Sequence, residues 1–290
     1  MYWENGDEMQ ALLVRVGIDG ESAKEEWRAP MNPVTREFAY VPIPENNRIF
    51  IPRYKISYER FKDTCWKLGR ELPPKFSNDF KYKYAHLDPD FEKLTYGDID
   101  EKPEFRERCI KGKKRLNHRG EHLLDLVEDD ILVFYASLDP GRWKKNQQFL
   151  PLDYAIIGIY VLKEPPERAT EDYKKNHDLG MNAHTRVECN EADIIACGKG
   201  TDAFGRKISG RLDKCIQIGE WIRKNGDKGK AYWLKQCLFD EWGGFEDVKK
   251  NRLCIIRSPK LWKFNNADKF YDWFKEQLVK ENIRLINDNN

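Results

Sequence analysis

Two apolar segments near the middle of the chain constrain its fold more than any other feature. Residues 131–137 and 154–163 are rich in valine, isoleucine, tyrosine and phenylalanine, which suit a buried, pleated strand. Asp129 and Asp130 indicate a turn before the first segment, and Pro165 ends the second. The pattern predicts two core strands joined by a polar loop.

The remaining elements are shorter. Further strands are predicted at residues 11–17, 193–197 and 253–257, and helices at residues 58–72, 231–238 and 266–286. Because strands and helices mix without β-α-β regularity, we predict an α+β fold with a mixed, mostly antiparallel sheet or a small β-barrel core, flanked by helices. The sequence has no repeat and no linker. We therefore expect residues 1–290 to form a single domain, with a core over residues 11–260 on which the C-terminal helix packs.

The composition bounds the class of protein. Lys and Arg number 51 against 49 Asp and Glu, a net charge of +2, so any surface that binds nucleic acid must be local. Charged residues make up 34%, which favours a thermophilic protein, although the seven cysteines argue against one. These cysteines form no C-x-x-C pair and indicate a reduced, cytoplasmic protein. No apolar run predicts a signal peptide or a membrane span.

Two groups of histidines and carboxylates raise the question of a metal ion. His118, Glu121 and His122 match H-x-x-E-H, which binds zinc when both histidines share a helix face, but no third ligand is evident. The segment from His86 to Asp90 suits a divalent ion or an acid–base pair, with Asp-Pro as an ordinary turn as the alternative. Because no metal-ligand spacing is recognisable, we predict no metal and no cofactor.

Lys199 lies between two glycines directly after the predicted strand at residues 193–197. Glycines allow close approach of a ligand and leave backbone amides for an anion. Partial burial lowers the pKa of a lysine and makes its amine a nucleophile. The alternative is a solvated loop lysine.

Basic residues cluster near the ends of the predicted strands, and one cluster contains a tryptophan. Cations hold phosphates and aromatic faces stack on bases. The alternative is a solvated charged surface. The residues of these clusters that we predict to contact nucleic acid are Lys113, Lys114, Arg115, Arg142, Trp143, Lys144 and Arg211.

Several phrases of the sequence, taken in order, resemble the third nucleotide modification associated domain family. They are VGIDG, FAYVPIP, AHLDPDFEKLTYGD, EDDILVFYASL, YAIIGIYVL, NAHTR and DIIACGKG, and they extend over about residues 11–260. The Gly-Trp of the family after the first central strand is replaced here by Ala136 and Ser137. The resemblance implies a role in DNA base modification. The polar residues that match its phrases are Asp19, His86, Asp88, Asp98, His184, Arg186 and Lys199, and we hypothesise that they converge at one site.

The two central strands also resemble the core of PUA-like domains, including the EVE type. In those domains a small β-barrel binds modified or flipped bases. This resemblance implies a PUA-like barrel in this chain, with a pocket for an extruded nucleotide.

We therefore predict a DNA-binding protein that acts in DNA base modification or repair and holds an extruded or damaged nucleotide, with His184 and Arg186 among its nucleic-acid contacts. One alternative is a lysine-dependent lyase or glycosylase. In that mechanism Lys199 attacks the C1′ aldehyde of an abasic (AP) site and forms a Schiff base, and Asp19 or Asp88 shuttles the proton. A further alternative is a non-enzymatic reader of modified bases. The sequence leaves open DNA or RNA as the partner and the oligomeric state.

Overall fold

A seven-stranded sheet forms the centre of the fold. The structure, a computed structural model, describes residues 8–17, 27–44, 56–73, 76, 84–99, 119–141, 152–176, 182–185, 193–223, 230–248, 253–255 and 261–289. The strands within these ranges are β1 (Ala11–Arg15), β2 (Ala29–Pro30), β3 (Ile43–Pro44), β4 (Ala85–His86), β5 (Thr95–Ile99), β6 (Ile131–Asp139), β7 (Asp153–Val161), β8 (Glu167–Arg168), β9 (Asp193–Cys197), β10 (Gly210–Gln217), β11 (Gly219–Arg223), β12 (Lys230–Leu234), β13 (Trp262–Lys263) and β14 (Leu285–Ile286). The helices are Lys62–Lys67, Glu171–Asn176, Gln236–Glu241 and Ala267–Lys280, with 3-10 turns at Tyr58–Phe61 and Arg119–Leu123.

The predicted pair of central strands is confirmed. β6 and β7 pair antiparallel, and every residue of both strands is buried. The central sheet has the order β13-β1-β6-β7-β10-β14, and β2 also pairs with β6. The pairings of β6 with β1 and β2 are parallel, and the others are antiparallel. A strand covered on both faces needs a continuous apolar run, which explains why these two segments stand out in the sequence.

A three-stranded sheet, β5-β9-β8, lies beside the central sheet. The two are joined where Leu162 bridges Gly198 and the amide of Lys199 donates to the carbonyl of Val161 at 2.7 Å. The predicted α+β class with a mostly antiparallel sheet therefore holds. In the part of the chain that the structure describes, these strands form open sheets and do not close into a barrel.

The loop from Leu87 to Leu94 is fixed to the central sheet by an aromatic anchor. The ring of Phe91 packs edge-on against Tyr40, Phe134 and Tyr160. Gly158 of β7 makes room for this ring, since a Cβ there would lie 2.4 Å from Cε1 of Phe91. The segment between β4 and β5 is thereby held in one place.

The C-terminal helix is shorter than the predicted span of residues 266–286. Asn266 caps its start by accepting a hydrogen bond from the amide of Lys269 at 2.8 Å. The helix ends at Lys280, because Asn282 adopts a positive φ of 49° that an α-helix does not accommodate. The chain then extends into β14, which pairs antiparallel with β10. The aromatic side chains on the inner face of the helix belong to the same apolar core as the central strands.

Three other predicted elements differ from the structure. The predicted helix at 231–238 is wrong, because β12 pairs there with β11 and a helix begins only at Gln236. The predicted helix at 58–72 is a 3-10 turn followed by the short helix Lys62–Lys67. Within 253–257 the described part has a single bridge, from Cys254 to Trp233.

Among the helices that the structure describes, none combines the length and the apolar character that crossing a membrane requires.

Candidate functional site

A cluster of imidazole and carboxylate side chains lies beside the small sheet. His86 belongs to β4, and Asp88 follows it in the loop that Phe91 anchors. His184 lies in a turn at residues 182–185, and Asp193 is the first residue of β9. Because β5 pairs with β9, side chains that are distant in the sequence lie close together here.

Asp88 is held by two hydrogen bonds to one of its oxygens. Its Oδ1 accepts from the amide of Gly97 at 2.8 Å and from Nδ2 of Asn182 at 2.6 Å. The side chain is 8% exposed. Burial raises the pKa of the Asp88 carboxyl to about 7, although the charge of His184 and these hydrogen bonds favour the ionised form. The negative charge of Asp98 adds to the rise.

His184 is positioned from both sides of its ring. Its Nδ1 lies 2.7 Å from Oδ1 of Asp193, which is fully buried. Because a carboxylate accepts, this contact places a proton on Nδ1 and turns Nε2 towards Asp88, whose Oδ2 lies 3.7 Å away. The ring also packs against Gly97, where a Cβ would lie 2.6 Å from Cγ and Cδ2 of the imidazole.

His86 completes the cluster. Its ring centroid lies 5.0 Å from that of His184, with the two planes at 86°. One ligand atom from each of His86, Asp88 and His184 lies within 4.8 Å of the others. His86 is partly exposed, whereas the other two are nearly covered, so the cluster is reached from the side of His86. Imidazoles and a carboxylate in such an arrangement suit proton transfer or metal ligation.

Buried hydrogen bonds support the loop that carries Asp88. Asn289 donates from Nδ2 to Oδ1 of Asp90 at 3.0 Å and accepts at Oδ1 from the amide of Phe91 at 2.8 Å. Tyr160 donates to the carbonyl of Asp90 at 2.8 Å. The loop is therefore tied to the central sheet and to the C-terminal segment.

Lys199 lies elsewhere and is paired. Asp193 and Cys197 stand at opposite ends of β9, roughly 13 Å apart at about 3.3 Å per residue, and Lys199 lies beyond Cys197. Its Nζ contacts Oδ1 of Asp129 at 2.6 Å and Oε1 of Glu128 at 3.0 Å. Desolvation lowers the pKa of Lys199, but the two carboxylates outweigh it and the pKa is raised. This is the opposite of the shift that a nucleophilic amine needs.

Arg211 is 4% exposed in the structure. Its Nη2 lies 2.5 Å from Oδ1 of Asp288, and its guanidinium covers the ring of Phe38 at 5.4 Å. The ion pair with Asp288 fixes β10 to the C-terminal segment. A contact between Arg211 and nucleic acid stays a prediction.

The other predicted site residues lie outside the described part of the chain: Asp19, Lys113, Lys114, Arg115, Arg142, Trp143, Lys144 and Arg186. His118 of the H-x-x-E-H segment also lies outside it. The described remainder of that segment is a 3-10 helix, Arg119–Leu123, on which His122 is exposed. Of the seven residues hypothesised to converge, the structure brings together His86, Asp88 and His184, with Asp98 close enough to act on the charge of Asp88.

Sequence reasoning missed Asp193, Asn182 and Gly97. Asp193 is visible in the sequence as a charged residue at the start of an apolar run, whereas Gly97 indicates a close approach only once β5 is known to be a strand. Neither residue type indicates which side chain it will contact, because these contacts form only when β5 pairs with β9.

The comparisons with known proteins agree with the predicted resemblance. The model of the family described as nucleotide modification associated domain 3 matches residues 10–260. No curated protein and no solved structure matches the chain. The matched span contains all four members of the cluster, His86, Asp88, His184 and Asp193. The chain belongs to the nucleotide modification associated domain 3 family.

Proposed function

We propose that this protein modifies bases in DNA and that Asp88 and His184 lie at its reactive centre. The observation that carries the proposal is the contact geometry of this pair, with Nε2 of His184 and Oδ2 of Asp88 facing each other at 3.7 Å. That distance exceeds a hydrogen bond, so the imidazole nitrogen and the carboxylate oxygen lie close together without bonding to each other. The family description, nucleotide modification, supplies the substrate class.

The construction of the cluster favours chemistry over a structural role. A buried carboxylate is costly unless it is paired or bonded, and here Asn182 and Gly97 hold one oxygen while the other faces an imidazole. Such preorganised polar groups in a covered site are typical of catalytic centres. Asp193 fixes the ring of His184, as the third member of a catalytic triad does.

DNA as the substrate implies that the base leaves the helix. An enzyme reaches a reactive atom of a base only after it is extruded, at a cost of a few kcal/mol. The predicted basic residues at 113–115 and 142–144 would serve this step by holding the phosphates.

The contacts of Lys199 argue against the alternative lyase mechanism. A Schiff base requires a neutral amine, and Lys199 lies between two carboxylates that keep it protonated. A non-enzymatic reader remains an outcome of the experiment below.

The test compares four proteins expressed in bacteria: wild type, Asp88→Asn, His184→Gln and His122→Ala. His122 is an exposed histidine and serves as the matched control. Cellular DNA is digested to nucleosides and analysed by mass spectrometry, and binding of each protein to duplex and mismatched oligonucleotides is measured by fluorescence anisotropy.

We expect altered nucleosides with wild type and His122→Ala, and their loss with Asp88→Asn and His184→Gln, while Asp88→Asn still binds DNA. Unaltered DNA in all four strains, together with binding that discriminates among bases, would replace the enzyme with a reader. Absence of both modification and binding would refute the assignment to DNA.

A further inference from the structure

We infer that His86, Asp88 and His184 form a binding site for one divalent transition metal ion. The inference concerns the site of the proposed function, but ion binding is measured without nucleic acid, so that either proposal can fail alone.

The separations of the ligand atoms suit a single ion. Zinc lies about 2.1 Å from imidazole nitrogens and carboxylate oxygens, and tetrahedral ligands at that distance are about 3.4 Å apart. Nε2 of His184 and Oδ2 of Asp88 are 3.7 Å apart, and one ligand atom from each of the three residues lies within 4.8 Å of the others. Bringing all three atoms to about 3.4 Å from one another takes a movement of at most about 1.4 Å, which a rotation of the partly exposed His86 side chain supplies.

The groups behind the ligands orient them towards one point. Asp193 engages Nδ1 of His184 at 2.7 Å, the carboxylate–histidine contact that accompanies metal-binding histidines. Gly97 and Asn182 take up Oδ1 of Asp88, so Oδ2 is the oxygen that faces His184. Asn182 also accepts from the amide of His184 at 2.9 Å, which couples the positions of the two ligands.

The donor set selects the class of ion. Two imidazoles and one carboxylate suit Zn²⁺, Fe²⁺ or Co²⁺, whereas Mg²⁺ and Ca²⁺ prefer oxygen ligands alone. Three protein ligands leave coordination positions open, as in catalytic and not in structural sites. The partly exposed side at His86 is where a water or a substrate oxygen would complete the shell.

The experiment is a titration of the chelator-treated full-length protein with Co²⁺, followed by absorption spectroscopy and by calorimetry with Zn²⁺. We expect one ion per chain, a visible cobalt spectrum of nitrogen and oxygen ligands without the intense near-ultraviolet thiolate band, and no competition by Mg²⁺. The spectrum separates this site from the cysteines, five of which are free in the described residues.

Variants assign the site. Loss of a group that orients a metal ligand typically lowers metal affinity about 10–100-fold, so we expect that range for Asp193→Asn and a loss of more than about 100-fold for His86→Ala or Asp88→Asn. His122→Ala should bind as wild type does. Near-ultraviolet circular dichroism verifies that each variant is folded, and His86→Ala, at the exposed side, is the substitution least able to disturb the core. Full affinity in a folded His86→Ala or Asp88→Asn protein, or no binding of Co²⁺ or Zn²⁺ by wild type, would overturn the inference.

Discussion

Gly97 and His184 pack so closely that the backbone of one determines the position of the other's ring. A Cβ at Gly97 would lie 2.6 Å from Cγ and Cδ2 of the imidazole, well inside contact distance. The same glycine donates its amide to Asp88 at 2.8 Å. One residue of β5 therefore sets the distance between the two reactive side chains.

Gly97→Ala should damage the site without removing any of its functional groups. The added methyl group must push the ring of His184 away from Asp193 and Asp88, at a cost of about 1–3 kcal/mol in the free energy of unfolding. Urea unfolding and Co²⁺ titration measure the two effects. The matched control is Gly200→Ala, since a Cβ there meets only Cδ1 of Leu94, at 3.7 Å. Equal behaviour of the two variants would show that the packing of Gly97 does not position His184.

Asn289→Ala should destabilise the protein by about 1–3 kcal/mol, because it removes both hydrogen bonds that a buried side chain makes to Asp90 and Phe91. Hydrogen exchange at the amide of Phe91 reports the local effect, and urea unfolding the global one. Asn265→Ala removes an exposed hydrogen bond to the carbonyl of Gly243 and is the control, expected to change stability by less than about 0.5 kcal/mol. Unchanged exchange at Phe91 in Asn289→Ala would contradict the proposed support of the loop.

The raised pKa of Asp88 predicts a specific dependence of stability on pH in the metal-free protein. Burial raises this pKa from 3.8 to about 7, so the folded state binds a proton more tightly than the unfolded state does. The resulting stabilisation is complete below about pH 4 and is lost as the pH rises through 7.

Asp88→Asn removes this proton uptake. Between about pH 5 and pH 8 the wild-type protein should lose about 2–3 kcal/mol of unfolding free energy relative to the variant. Urea unfolding of both proteins in the presence of a chelator measures the difference, and titrating groups that are not coupled to Asp88 cancel in the comparison. Parallel stability curves would indicate that the carboxyl is ionised in both states throughout this range.

Lys199 should form no Schiff base. Its amine is held by Asp129 and Glu128, which raise its pKa against the effect of desolvation. Borohydride treatment with an oligonucleotide that carries one abasic site should therefore give no adduct at Lys199, and Lys199→Met should match wild type. An adduct that maps to this lysine would reinstate the lyase mechanism.

Prediction from sequence succeeded where a segment's own composition decides its structure. β6, β7 and β9 are continuous apolar runs, and burial on both faces makes such runs distinctive. It failed at residues 231–238, because a short apolar run fits a strand or a helix equally well and β11 decided the outcome. It overextended the C-terminal helix, because the positive φ of Asn282 is not evident from apolar periodicity.

The site was predicted in part for a similar reason. His86, Asp88 and His184 were recognisable as residue types that carry chemistry, within phrases that resemble a known family. Asp193 and Gly97 acquire their roles only when β9 and β5 pair, and no local pattern specifies that register. The glycines beside Lys199 favoured a nucleophilic amine in the sequence. Its carboxylate partners, Glu128 and Asp129, lie 71 and 70 residues away along the chain, so the sequence did not reveal them.

The hydrogen bonds of Asn289 to Asp90 and Phe91 connect the loop that carries Asp88 to the C-terminal end of the chain. The family shares residues 10–260, yet the side chain that fastens the loop beneath the cluster comes from residue 289, and β14 adds a strand to the central sheet. A fragment trimmed to the limits of the homology would lose this fastening and the aromatic face of the C-terminal helix. The loop that carries Asp88 therefore depends on a side chain that lies outside the span matched by the family model.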